Sequence, residues 1–188
     1  MMNVAAAKKK QGLATRELVF TGIFAALIAV CSWISIPTAV PFTLQTFAVF
    51  MAVLVLGGKL GTLAVVVYII LGAVGVPVFA NFTGGMGILL GSTGGYIVGF
   101  ILTALIMWGM ERVSRGSRLM QVVSMLLGLL ACYALGTVWF IVVYGKANGA
   151  VGVMTALGWC VFPFIIPDLI KIAVACAISP VLRKAIHS

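Results

Sequence analysis

The chain has 188 residues, of which 63% are hydrophobic and only 8% are charged. Soluble domains contain about 25% charged residues, so this composition excludes a soluble globular protein and indicates an integral protein of the lipid bilayer. The net charge of +9 is interpreted as topogenic charge rather than as a nucleic-acid-binding surface, because the basic residues sit at the ends of the apolar runs.

The apolar runs predict α-helices rather than the strands of a membrane barrel. They are continuous, many are about 20 residues long, and they lack the alternation of barrel strands. Six helices are predicted, over residues 15–36, 44–56, 60–74, 93–110, 119–144 and 166–182. We therefore predict an all-α fold in which residues 15–188 form one six-helix transmembrane bundle. Residues 1–14 are predicted to form a basic cytoplasmic segment.

The first predicted helix carries small residues at helical spacing. Gly22 and Ala26 are four residues apart, and so are Ala25 and Ala29. Such stripes let a second helix approach closely. The spacing alone leaves open whether that second helix belongs to the same bundle or to another protein.

The segment over residues 76–92 is uncharged and rich in glycine and aromatic residues. Non-helical backbone at membrane depth is tolerated only where it is buried in protein or lines a cavity. We therefore predict that this segment folds over the bundle as a lid, since Phe79 and Phe82 need burial. Gly84 and Gly85 are either simple turn formers or positions where the backbone approaches a ligand closely.

Two ionisable residues, Asp168 and Lys171, lie within the last apolar run. Residues three apart share one face of a helix, so the two side chains are within reach of each other. A charge at membrane depth costs roughly 2.5–3.5 kcal/mol on insertion scales. We interpret the pair as the polar centre of a small-molecule site; the alternative is an ion pair that only fixes helix packing.

The distribution of Lys and Arg predicts the orientation of the bundle. With six helices, ten of the twelve basic residues lie on the side of the two termini. The positive-inside rule places that side in the cytoplasm. The other three connections then face outward, close to Asp168 and at the level of Gln45, Asn81 and Tyr96. These residues predict a pocket that opens to the exterior under the glycine-rich lid.

The chemistry of this pocket suits a small, partly apolar solute with a polar head. A carboxylate accepts N–H bonds and an ammonium group donates to a carbonyl or carboxylate, and a cyclic urea or amide offers both partners. The neutral polar contacts and the apolar wall are predicted at Gln45, Asn81, Tyr96, Phe42, Phe79 and Phe82. The sequence holds no catalytic triad, metal-ligand cluster or phosphate-binding loop, so we predict no catalytic residues, no metal and no cofactor.

Five motifs occur in order along the chain and resemble those of the BioY family, the substrate-binding S-components of energy-coupling-factor (ECF) biotin transporters. They are VPFTLQ at 40–45, GVPVF at 75–79, GG at 84–85, GSTGGY at 91–96 and PDLIK at 167–171. Within the fourth motif, Ser92 stands where the family usually has proline.

The resemblance implies a six-helix S-component of the bacterial plasma membrane that binds biotin from outside. It implies association with a transmembrane coupling protein and two cytoplasmic ATPases, with Gly22, Ala25 and Ala29 facing the coupling protein. It also carries the biotin contacts over to Asp168 and Lys171, together with Tyr96, Gln45 and the lid near Asn81. Asp168 is expected to accept the ureido N–H groups. The position of Lys171, at the ureido oxygen or at the valerate carboxylate, stays open.

Three other functions remain as alternatives at this point. The chain could be a stand-alone membrane facilitator for another vitamin-like solute, an intramembrane enzyme that uses Asp168 as a base, or a structural subunit without a ligand. Uptake without a coupling ATPase would favour the first, and product formation from a candidate substrate would favour the second.

Overall fold

A computed structural model describes residues 13–38, 40–114 and 117–187 of the chain. Twelve of the fourteen positions of the predicted basic segment therefore lie outside the described residues. The part that is described forms a bundle of α-helices with two loops packed over one end.

The helices follow one another along the chain with one short ribbon of two strands between the first and the second. The elements are α1 Thr15–Trp33, β1 Ser35–Ile36, β2 Phe42–Thr43, α2 Gln45–Leu56, α3 Gly58–Ala73, α4 Met86–Leu90, α5 Gly94–Ser114, α6 Arg118–Asn148, α7 Val153–Cys160 and α8 Phe162–His187. The predicted helices correspond to α1, α2, α3, α5, α6 and α8, and the short helices α4 and α7 were not predicted.

The predicted first helix extended three residues too far, because a β-ribbon begins where α1 ends. Ser35 pairs with Thr43 and Ile36 with Phe42 in an antiparallel ladder. This pairing satisfies backbone groups that would otherwise be costly to leave unbonded beside an apolar bundle. The ribbon also brings the start of α2 close to the end of α1.

Within the described residues, four helices, α1, α5, α6 and α8, are long and apolar enough to cross a membrane. The apolar helices α2 and α3 are shorter, with 12 and 16 residues, and a single residue separates them. That residue, Gly57, has a φ of +84°, which glycine adopts without steric cost. The two helices then pack tightly, since a Cβ at Gly61 would lie 2.5 Å from the Cα of Val53.

Close helix contact also joins α5 to α6. A Cβ at Gly128 would lie 2.8 Å from the Thr103 side chain, and one at Gly136 would lie 2.2 Å from the ring of Tyr96. The Thr103 hydroxyl donates to the carbonyl of Gly128 at 2.8 Å. Small residues and interhelical hydrogen bonds are the usual means by which membrane helices pack. In this bundle they hold the Tyr96 ring of α5 against Gly136 of α6.

One end of the bundle, which we call the basic end, gathers the start of α1, the α2–α3 turn, the end of α5 and the end of α8. The Arg16 guanidinium donates to the carbonyl of Ile186, and the N–H of Gly58 donates to Glu111 at 2.7 Å. The opposite end, the loop end, carries residues 34–38, 40–43 and 75–93. This division places the ribbon and the glycine-rich segment together over one mouth of the bundle.

Candidate functional site

A cavity of about 220 Å³ lies between the helices at the loop end. A buried water needs about 10–15 Å³ of comparable volume, so the cavity has room for a small organic molecule. Its walls come from α2, α5, α6, α7 and α8 and from both loops of that end. Six of the predicted site residues line it, namely Gln45, Phe79, Asn81, Tyr96, Asp168 and Lys171.

Asp168 and Lys171 form an ion pair at this cavity. The ammonium nitrogen lies 2.7 Å from Oδ1 of Asp168, and the two residues are only 1% and 6% exposed. The spacing of three residues on α8 makes this contact within one helix. A buried charge is tolerated when it is paired and hydrogen-bonded, and both conditions hold for this pair.

The Asp168 carboxylate is held from two other helices as well. The hydroxyl of Thr46, in the first turn of α2, donates to Oδ1 at 2.9 Å. The hydroxyl of Tyr133, in the middle of α6, donates to Oδ2 at 2.5 Å. Hydrogen bonds to an ionised acceptor are stronger than neutral ones, so these contacts tie α2 and α6 to α8 at the cavity.

The Lys171 ammonium uses its three N–H donors within the protein. It donates to Oδ1 of Asp168, to the carbonyl of Thr43 at 2.6 Å and to the Thr46 hydroxyl at 3.1 Å. Its nitrogen also lies 4.5 Å from the centre of the Phe42 ring, where a cation is attracted to the ring face. The Lys171 side chain on α8 therefore holds the ribbon strand β2 and the start of α2 in place.

Pro167, which directly precedes Asp168, lies inside α8. Proline has no N–H, so the carbonyl four residues earlier receives no hydrogen bond from position 167. Such a break in a membrane helix is tolerated where it borders protein or a cavity. The interruption thus falls on the turn of α8 that enters the cavity wall.

Two further polar side chains at the cavity are paired with neutral partners. The Gln45 amide donates to the hydroxyl of Tyr68, and the hydroxyls of Tyr96 and Thr137 lie 3.0 Å apart. Gln45 and Tyr96 are nearly buried, at 6% and 8% exposure. They are therefore held in fixed positions before any ligand arrives.

The glycine-rich segment closes over the cavity through contacts with the end of α1. The Ser32 hydroxyl donates to the carbonyl of Val78 at 2.5 Å, and the Trp33 indole donates to that of Pro77 at 2.9 Å. The Trp33 ring also stacks on Phe82 with 5.0 Å between ring centres. These contacts fasten the lid to the helix that precedes the ribbon.

Asn81 sits at the tip of this segment with left-handed backbone. Its φ is 58°, and that of Phe82 is 56°, a region that asparagine tolerates better than phenylalanine. The Asn81 carboxamide oxygen accepts a bond from the Ser35 hydroxyl at 2.9 Å. The carboxamide NH₂ group supplies two further donors that this bond does not use.

Comparison with known proteins places this arrangement in a family. Residues 3–188 match the family described as the BioY family.

The chain belongs to the BioY family.

Curated BioY relatives are similar over nearly their whole length. The biotin transporter BioY of Thermotoga maritima is 46% identical over 170 residues, which cover 90% of this chain and 96% of the relative. The probable biotin transporter BioY of Pyrococcus horikoshii is 40% identical over 169 residues, covering 89% and 96%.

A solved structure shares the fold. It is the crystal structure of the S-component for biotin from an ECF-type ABC transporter, with a TM-score of 0.80 and 25% sequence identity. The match covers 92% of this chain and 95% of the solved one. The BioY-family chain thus has the fold of a transporter S-component.

Three of the predicted site residues take other positions in this BioY-family chain. Phe42 lies behind Lys171 and packs against Phe164, with 5.8 Å between ring centres, rather than lining the cavity. Gly84 and Gly85 also lie outside the cavity wall. A Cβ at Gly84 would lie 2.4 Å from the carbonyl oxygen of Val76, and Gly85 has a φ of +96°, so both glycines serve the turn itself.

The burial of the lid was predicted only in part. Phe79 is 1% exposed and Leu89 is 9% exposed, whereas Phe82 is 64% exposed. Phe79 fills the space that Gly72 leaves on α3, where a Cβ would come within 2.0 Å of its ring. Phe82 lies on the outer side of the lid, so the prediction that it needs burial was wrong.

The small residues of α1 divide between two faces. Ala25 and Ala29 are 2% and 5% exposed, so they face the inside of the bundle, whereas Gly22 and Ala26 are exposed. A Cβ at Gly22 would meet nothing within 4 Å. The predicted docking surface is corrected accordingly, because Ala25 and Ala29 are used for packing against the chain's own helices.

Thr46 and Tyr133 were not predicted as site residues. Thr46 directly follows the VPFTLQ motif, and its place in the first turn of α2 was a usable signal. Tyr133 stands within a long apolar run, where a phenolic hydroxyl needs a partner. Sequence spacing does not show which helices face α8, so the partner could not be named.

We predict that the Asp168–Lys171 pair is coupled in stability. Asp168→Asn and Lys171→Met should each lower the free energy of unfolding by about 3–5 kcal/mol, since each leaves an uncompensated buried group. The double variant should lose less than the sum of the two, because no charge is then left alone. Denaturant unfolding in detergent without ligand measures this, and strictly additive losses would contradict the coupling.

Proposed function

We propose that this chain is the substrate-binding membrane subunit, the S-component, of an ECF-type biotin transporter. The observation that carries the proposal is the buried Asp168–Lys171 pair at the wall of a ligand-sized cavity in a BioY-family chain. The names of its relatives, which are biotin transporters, and the S-component fold support it. The chain captures biotin and passes it on without chemical change.

The polar groups at the cavity suit the ureido head of biotin. The Asp168 carboxylate accepts a ureido N–H, and the N–H groups of Asn81 donate to the ureido oxygen. Lys171 reaches the ligand by exchanging one of its present acceptors, of which the Thr46 hydroxyl at 3.1 Å is the longest contact. Exchange is favourable when an oxygen of the ligand, in the ureido group or the carboxylate, replaces that acceptor.

The apolar part of the ligand lies against the α5 and α8 walls of the cavity. Ile97, Phe100 and Phe164 line it there and are largely buried. A cavity with mostly apolar walls and a few fixed polar groups is the usual form of a small-molecule site. It suits the fused ring and the aliphatic chain of biotin.

The membrane topology that we propose has six crossings with both termini in the cytoplasm. The four long helices are joined by α2 and α3, which are connected by Gly57 and run as a hairpin. The basic end carries Arg16, Lys59, Arg112, Arg118, Arg183 and Lys184. The positive-inside rule directs this end to the cytoplasm, so the cavity faces the exterior of the cell membrane.

Energy for uptake comes from partner subunits in this proposal. The sequence has no GxxxxGK[ST] phosphate loop; in this proposal two cytoplasmic ATPases hydrolyse ATP, and a transmembrane coupling protein connects them to this chain. The exposed side of α1, with Gly22 and Ala26, is the surface on that helix where another helix approaches closely. Ala25 and Ala29 support this surface from inside the bundle.

We predict that biotin binding depends on both members of the ion pair. Asp168→Asn and Lys171→Ala should each weaken binding by about 2–5 kcal/mol, because the remaining charge lies unpaired in the complex. Calorimetry on the purified protein in detergent measures the affinity. Lys146→Ala, which removes an exposed lysine at the end of α6, is the matched control and should bind like the parent. Unchanged affinity in both pair variants would refute the assignment.

We also predict the orientation of the cavity. In intact cells, a membrane-impermeant maleimide should label an Asn81→Cys variant, and biotin should slow the reaction because Asn81 lines the cavity. A Lys59→Cys variant, at the basic end, should react only after the membrane is permeabilised. The parent reports the background of the native thiols, three of which are buried. Labelling of Lys59→Cys in intact cells would contradict the proposed topology and indicate the opposite orientation.

A further inference from the structure

The hydroxyl of Tyr133 has a different kind of partner from the hydroxyls of Tyr68 and Tyr96. Those of Tyr68 and Tyr96 pair with the neutral side chains of Gln45 and Thr137. That of Tyr133 donates to the Asp168 carboxylate at 2.5 Å, and Tyr133 lines the cavity. Because the ionised carboxylate is only an acceptor, the phenolic proton points to Asp168, and a lone pair of the phenolic oxygen stays available.

The Asp168 carboxylate has acceptor capacity left for a ligand. A carboxylate has about four acceptor positions. At Oδ1 two of them are occupied, by the Lys171 ammonium and the Thr46 hydroxyl. At Oδ2 one is occupied, by Tyr133. The Tyr133 oxygen lies 2.5 Å from Oδ2, and each of the two atoms has acceptor capacity left, so two acceptors stand side by side.

The neighbouring ammonium offers no competing donor in the ligand-free protein. Its three N–H groups are engaged with Asp168, Thr43 and Thr46. A ligand group that meets Oδ2 therefore meets acceptors, and an N–H fits there whereas an oxygen or a methylene group does not. A site built to bond an N–H rejects an analogue that lacks it, because its buried polar groups are then left unpaired.

We propose that Tyr133 is a specificity-determining residue, whose phenolic oxygen forms with Oδ2 of Asp168 a twin acceptor for one N–H of the ligand. This inference rests on the proposed function and deepens it, since it states which group of a cyclic urea, an N–H, is bound at this position. One of the two ureido N–H groups donates a hydrogen bond to the twin acceptor, and the other does not.

Calorimetry with biotin and two lactam analogues tests this proposal. Each analogue has one ureido N–H replaced by CH₂, in the two possible positions. Tyr133→Phe should weaken biotin binding about 10-fold, the equivalent of one hydrogen bond. It should weaken one lactam by a similar factor and leave the other, which lacks the recognised N–H, within about twofold.

Control variants distinguish a direct contact between Tyr133 and the ligand from a role of Tyr133 in holding Asp168. Tyr144→Phe, on the same helix, removes a hydroxyl from a ring that stacks on Phe140 and should bind biotin like the parent. Equal weakening of biotin and both lactams by Tyr133→Phe would overturn the proposal, because Tyr133 would then only hold Asp168. So would an effect on biotin below about twofold.

Measurements on the parent protein keep the proposal testable if the Tyr133→Phe variant does not fold. The parent should bind one lactam at least about 10-fold more weakly than the other, and equal affinities would overturn the twin acceptor. Failure of the parent to bind biotin at all would instead refute the proposed function, so the two failures are distinct.

Discussion

Two opposite charges held together inside an apolar bundle are the constraint on which this structure depends. An isolated charge at that depth is costly, and an ion pair in a low-dielectric interior repays its desolvation only with good geometry and further hydrogen bonds. Asp168 and Lys171 obtain those bonds from Thr43, Thr46 and Tyr133. The start of α2, the middle of α6 and the β-ribbon must therefore converge on one turn of α8, and the cavity forms where they meet.

The same constraint links the cavity to its cover. Lys171 holds the carbonyl of Thr43, Thr43 pairs with Ser35 across the ribbon, and the Ser35 hydroxyl reaches Asn81 on the lid. If a ligand oxygen replaces the Thr46 hydroxyl, the bond from Lys171 to the Thr43 carbonyl is kept, and with it the link from the ion pair to the lid. The ligand-binding groups and the covering loop are parts of one hydrogen-bonded assembly.

Much of this arrangement was predictable from sequence, for reasons that differ between residues. Asp168 and Lys171 stand out because charges in apolar runs are rare and costly, and the apolar runs predicted a mostly helical membrane protein. The β-ribbon was missed, since two-residue strands carry no periodicity. Tyr133 was missed because the spacing of residues along the chain does not show which helices are neighbours in space. Ala25 was assigned to the wrong face because two stripes of small residues on adjoining faces of one helix have the same sequence pattern, and only the packing of the bundle distinguishes them.

A crystal structure of the complex would show whether the buried ion pair binds biotin. We expect density for the ureido ring in the cavity between α2, α6 and α8, with one ureido nitrogen about 2.7–3.2 Å from Oδ2 of Asp168. An oxygen of the ligand should lie at similar distance from the Lys171 nitrogen. Density for biotin elsewhere, with the bonds of Asp168 and Lys171 unchanged, would show that the ion pair does not bind biotin.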